Sequence, residues 1–172
     1  MATGSESTRS LYAVALRNTH ALEMQALQIM ERQVERIQNY PEMEQILRRH
    51  IQETHAQRDR IEAAMSDIGE SPSALKEAVL GFIGNMAAIA HSPFEDEILK
   101  NSYANHAFEN FEIAAYTSLL VITEAAGQSR HLSAFQQSLQ EEKTTAQLIH
   151  DAIQPITRKY IMLEEQGAKA DR

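Results

Sequence analysis

Residues that stop a helix are few in this chain and stand far apart. Its 172 residues hold 6 Gly and 4 Pro. Positions 5–40, 42–68, 94–126 and 128–154 contain neither. Nothing reads as a β-hairpin, because no Asn-Gly or Asp-Gly turn separates alternating runs. Long runs without breakers are committed to helix if their apolar residues recur at a spacing of three to four.

They do. The first helix is expected from about Ser7 to Asn39, with Tyr12, Leu16, Thr19, Glu23, Ala26, Met30, Val34 and Ile37 on one stripe. Pro41 opens the second, which runs to Ile68 before Gly69 as a C-terminal cap. Its stripe is Ile46, His50, Glu53, Gln57, Ile61, Ala64 and Ile68. A shorter third helix, Ser73–Ala90, is rich in Ala, Gly and Met. The fourth spans Pro93–Ala126, with Phe108, Phe111 and Ala115 on one stripe and Glu109, Glu112 and Tyr116 beside it. The fifth begins near Ser129, is kinked or interrupted at Pro155, and resumes to Glu165. Its stripe holds Leu132, Phe135, Leu139, Glu142, Ala146, Ile149 and Ile153.

Four long helices with a short one after the second imply two helical hairpins joined by a crossover. The expected fold is all-α: a ferritin-like four-helix bundle with a short additional helix in the crossover connection. Residues 1–166 form one domain, and 167–172 are expected to fray.

Composition narrows the function. A net charge of −8 argues against a nucleic-acid partner bound through a basic face. The chain has no cysteine, which excludes disulfides, thiolate metal sites and cysteine nucleophiles. No run is long and apolar enough to span a membrane, and the polar first residues lack a signal-peptide core. The expectation is a cytoplasmic protein with no membrane partner.

Each long helix carries a glutamate on or beside its apolar stripe: Glu23, Glu53, Glu109 with Glu112, and Glu142. All lie near helix midpoints, so a bundle brings them to one level. Bare anions there are excluded, because desolvation costs several kcal/mol per ion. Either most are protonated, or cations sit among them. Two divalent metals nearly balance these carboxylates, and an oxygen-rich set suits iron, with Mn or Zn as alternatives. The Glu-x-x-His pairs of many di-iron bundles are absent, since Ala56 follows Glu53 and Thr145 follows Glu142 at that spacing. His50, Gln57, His106 and Tyr116 stand one turn or less from a carboxylate on their own helices and are expected to support the ligands.

Leu-Glu23-Met-Gln, His50-Ile-Gln-Glu53-Thr-His-Ala-Gln57, Glu109-Asn-Phe-Glu112-Ile-Ala-Ala-Tyr116 and Glu141-Glu142-Lys143 together resemble the YciE/YciF family of ferritin-like bacterial proteins. The resemblance covers roughly residues 10–155. It implies a di-metal centre, a homodimer and a role in bacterial stress responses. The chain departs from the family at Ala146, where a carboxylate is usual.

The reading that follows is a di-iron carboxylate protein of oxidase or peroxide-reducing type, with O₂ or peroxide as oxidant and Glu23, Glu53, Glu109, Glu112 and Glu142 as ligands. Its rivals are a metal-free or structurally metallated dimeric scaffold and, third, an iron store.

Overall fold

The computed structural model describes residues 5–71 and 96–172. Four long helices fill them: α1 (Glu6–Val34), α2 (Pro41–Asp67), α3 (Glu97–Ala125) and α4 (Leu132–Glu165). A short 3₁₀ turn, Ser129–His131, leads into α4. The expected helix Ser73–Ala90 lies outside the described residues. No helix among them is long and apolar enough to cross a membrane.

Local chemistry sets most of the boundaries. Ser5 Oγ accepts from the Thr8 N–H at 3.2 Å and caps α1. Pro41 occupies the first turn of α2, where its missing N–H costs nothing. Gly69 and Gly127 follow α2 and α3 with φ of 76° and 72°, a left-handed conformation that ends a helix with little strain only at glycine.

Three expectations need correction. α1 stops at Val34, not Asn39. The Asn39 N–H donates instead to Arg172 O at 3.1 Å, and the Asn39 side-chain amide donates to Lys169 O and Arg172 O. Pro155 does not interrupt the last helix, which runs unbroken to Glu165. Pro155 lies on an exposed face, so water can satisfy the Asp151 carbonyl that has lost its donor. Residues 167–172 are not frayed. Ala170 is 1% exposed, its carbonyl accepts from Tyr40 Oη at 2.6 Å, and Asp171 O accepts from the Ile98 N–H at 2.9 Å. The tail closes one end of the bundle across the starts of α2 and α3.

α1 packs on α2 and α3, and α4 packs on α2 and α3. At one end stand Tyr12 of α1, Asp67 of α2, Thr123 of α3 and His131 before α4. At the other, Arg36 after α1 forms a two-pronged ion pair with Glu97 of α3. α2 and α3 therefore run parallel on one diagonal, while α1 and α4 run parallel to each other in the opposite sense. This polarity is that of the ferritin-like connectivity.

The core has two apolar parts. One contains Met30, Tyr40, Met43, Leu47, Phe108 and Ile149; the other contains Tyr12, Leu16, Ile61, Met65, Leu119 and Phe135. Between them lies a polar layer that includes Glu23, His50, Glu109, Glu112 and Glu142, all buried.

Replacing Tyr40 with Phe keeps the ring and deletes its bond to Ala170 O. The expected loss is about 1 kcal/mol, read as a lower urea midpoint at unchanged slope. A midpoint equal to that of the parent would show that the tail does not hold the bundle.

Candidate metal centre

The polar layer is built by helical register. α2 buries Met43, Leu47, His50, Thr54, Gln57, Ile61 and Ala64. That row passes through His50 and Thr54, not Glu53, so the expected stripe is one residue out of phase in its middle. α3 buries Ser102, Asn105, Phe108, Glu109, Glu112, Tyr116 and Leu119. Its inward row runs through the glutamates themselves. Phe111, expected in the core, is 49% exposed. α1 and α4 place Glu23 and Glu142 at the same level, each fully buried.

Four of these groups converge. One ligand atom from each of His50, Glu109, Glu112 and Glu142 lies within 4.8 Å of every other. His50 Nε2 stands 3.1 Å from Glu109 Oε2 and 3.5 Å from Glu142 Oε2. Glu23 borders the group: Tyr116 Oη donates to its Oε1, and the charges of Glu142, His50 and Glu109 act on it. Glu53 stands behind His50. Its side chain is 25% exposed, and its Oε2 accepts from His50 Nδ1 at 3.1 Å and from Thr145 Oγ1 at 3.3 Å.

On α2 it is His50 that lies in the cluster, and Glu53 stands on its outer side. Thr145, which sequence reasoning passed over as the place of a missing histidine, contacts both, with its hydroxyl 3.0 Å from His50 Nδ1. Thr54 Oγ1 donates to the His50 carbonyl at 2.8 Å. The signal available in the sequence was the seven-residue recurrence Leu47, Thr54, Ile61 beside His50, Gln57, Ala64.

Gln57 is fully buried on the same row, and neither atom of its amide has a hydrogen-bond partner among the described residues. His106 does not reach the carboxylates. Its Nδ1 donates to Ala146 O at 3.3 Å, and its ring tilts against His150 with centroids 5.4 Å apart.

The donor set tests whether a metal fits. Glu23 Oε2, both oxygens of Glu112 and Glu142 Oε1 are buried without a hydrogen-bond partner among the described residues, and His50 Nε2, Glu109 Oε2 and Glu142 Oε2 face only one another. Native interiors rarely leave so many polar atoms without partners outside their own cluster. One imidazole nitrogen and several carboxylate oxygens gathered in one buried layer are the donors a borderline or hard divalent cation takes. The cluster can hold a metal ion.

Without one, protons and one imidazolium carry the charge balance. Burial pushes Glu112 and Glu23 well above the carboxylate range, and the Glu142 charge adds to it. Burial raises Glu109 to about 7, against the pull of the His50 charge. Burial works to lower His50, but the Glu109 charge and bonds to Glu109, Glu142 and Glu53 outweigh it and lift the imidazole well above its usual value. Glu53 moves down, because the His50 bond and charge and the Arg49 charge overcome its partial burial.

The profile of a family described as a domain of unknown function (DUF892) matches residues 7–162. The chain belongs to that family, the YciE/YciF family. Protein YciF of Escherichia coli (strain K12) is 27% identical over 153 residues, spanning 84% of this chain and 89% of that protein. A solved protein of Xanthomonas campestris pv. campestris superposes with a TM-score of 0.77 at 23% identity, over 92% of this chain and 99% of its own. The solved E. coli stress protein YciF superposes with a TM-score of 0.70 at 21% identity, over 87% of this chain and 96% of its own. At these identities the superpositions show the shared all-α fold.

The pKa directions fix how the metal-free protein responds to pH. Glu23, Glu109 and Glu112 bind protons more tightly folded than unfolded, so their stabilisation is full below the ordinary carboxylate range and is lost as pH rises through the folded values. The raised His50 has the same sign above its unfolded value. The lowered Glu53 opposes them only at acid pH. In the presence of chelator, the calorimetric unfolding midpoint is expected to fall from about pH 5 to about pH 8. A midpoint that rises over that range would contradict the assigned protonation.

Proposed function

We propose that this chain is a di-metal carboxylate protein, with iron as the metal, that reduces O₂ or peroxide in a stress response. The observation that carries the proposal is the convergence of buried ligand atoms on His50, Glu109, Glu112 and Glu142, which find no hydrogen-bond partner outside their own cluster, with Glu23 at its border. The stress role is supported by the relative from E. coli, whose solved structure is titled a stress protein.

His50, Glu109, Glu112 and Glu142 would hold the metal, and Glu23 would complete a second position. A bound iron pair supplies one-electron redox chemistry toward a small oxidant. The chain supplies the rest. Its apolar parts on either side of the layer shield it from water. Glu53 and Thr145 hold the His50 ring with Nε2 inward, an outer-side hydrogen bond of the kind that orients metal-binding histidines. Loading requires His50 to give up its Nε2 proton, and Glu109 and Glu112 to give up theirs. Tyr116 keeps one Glu23 oxygen hydrogen-bonded and leaves the other free.

Metal analysis of the protein after anaerobic ferrous loading tests this reading. We expect about two metals per chain, proton release on uptake, and an unfolding midpoint raised by mass action. Glu112→Ala and Glu142→Ala should lose uptake. No uptake and an unchanged midpoint would leave a metal-free scaffold, and many metals per chain in a large particle would indicate storage.

We also infer a homodimer formed through the outer face of α3. Positions 101–123 carry no charged residue except the buried Glu109 and Glu112, while Tyr103 and Val121 are 49% and 66% exposed. In a chain of net charge −8, that face brings two copies together with the least repulsion. Val121→Arg should convert a dimer to a monomer in light-scattering chromatography. A parent protein that elutes as a monomer at the same concentration excludes the interface.

A further inference from the structure

At the end of the bundle away from the tail, a buried phenol is joined to the surface by one imidazole. Tyr12 is 1% exposed, and its Oη lies 2.6 Å from His131 Nδ1. His131 Nε2 lies 3.0 Å from Asp67 Oδ2, on a side chain that is 48% exposed and also 3.5 Å from Arg130 Nε. A carboxylate can only accept, so His131 carries its proton on Nε2 and presents Nδ1 as an acceptor to the phenol. The neighbouring Thr123 hydroxyl gives its own proton to Leu119 O at 2.7 Å. His131 is thus the base that faces the Tyr12 proton. Burial and the nearby Asp67 charge both disfavour a phenolate, so the phenol is held neutral.

The carboxylate cluster is within reach of this phenol. Tyr12 and Tyr116 share one buried apolar cluster, and Tyr116 donates directly to Glu23. Tyr116 and Thr123, the latter beside the Tyr12 phenol, are two helical turns apart on α3, about 10 Å. The chain has neither Trp nor Cys, so tyrosines are its oxidisable relays in this half of the core.

We propose that Tyr12 is a redox-active relay: on one-electron oxidation its phenolic proton passes to His131 and a neutral radical remains on the ring. In the step, the Tyr12 O–H bond breaks and His131 Nδ1 gains the proton. The electron that leaves the ring would be taken up by an oxidised metal ion held by the carboxylate cluster, reduced by one unit, or by an external one-electron oxidant. The imidazolium is then held by Asp67. A path of this kind carries oxidising equivalents from the closed centre toward the bundle end. The direction of electron flow rests on the metal reading above; the proton transfer does not.

The test uses the metal-free full chain, oxidised by light with a ruthenium tris-bipyridine sensitiser and persulfate, and read by electron paramagnetic resonance. A persistent tyrosyl signal is expected in the parent and in Tyr40→Phe, whose phenol faces a carbonyl and no base. Tyr12→Phe should lose it. His131→Gln should lose its persistence, a change that a purely structural contact would not produce. Unfolding midpoints identify any variant that fails to fold. Independently of variants, the parent signal should show an exchangeable proton coupling that disappears in D₂O. A parent signal that survives Tyr12→Phe, or one without that coupling, overturns the proposal. Because this experiment contains no metal, a chain that fails to bind iron defeats the metal reading alone.

Discussion

Carboxylates enclosed in a helical bundle must be neutralised from within, and the arrangement of this protein follows from that requirement. Glu23, Glu109, Glu112 and Glu142 occupy one layer with little access to water. Their compensation comes from the protonated state of some, the imidazole of His50 in their midst, and the Tyr116 hydroxyl that donates to Glu23 at their edge. A cation held in the layer would take over what protons do in its absence, because metal binding and ligand protonation compete for the same atoms.

The bundle tolerates the layer because the work of cohesion is done elsewhere. Apolar residues on both sides of it interlock all four helices, and the parallel run of α2 and α3 brings His50 opposite Glu109 across the diagonal. A simple up-and-down order would make α2 and α3 antiparallel. The parallel polarity sets the pairing of His50 with Glu109, while α4 brings Glu142 to the same ring.

Much of this architecture is legible in the sequence, because the gaps between Gly and Pro residues bound the helices and the glutamates mark their middles. What escaped reading is finer than one turn. Hydrophobicity favoured Phe111 over Glu112 and Ile46 over Leu47 as core positions, yet the structure turns α3 so that its acids face inward and buries Leu47 and Thr54 of α2 alongside His50. A phase shift of one residue rotates a helix by about 100°, and a short polar interruption in a stripe carries too few apolar residues to define the phase. The position of Glu53 outside the buried row has that origin. The tail was misread for a different reason: Ala170 and the backbone carbonyls around it carry no pattern, and their partners Asn39 and Tyr40 lie some 130 positions away.

That distance gives the tail a second meaning. The first helical hairpin, α1 with α2, holds Glu23 and His50 but none of Glu109, Glu112 and Glu142. The starts of α2 and α3 are sealed only when Ala170 to Arg172 pack against them. Neither the polar layer nor this end of the bundle can therefore be completed by neighbours in sequence. Both close through long-range contacts, the kind whose loop-closure cost slows folding.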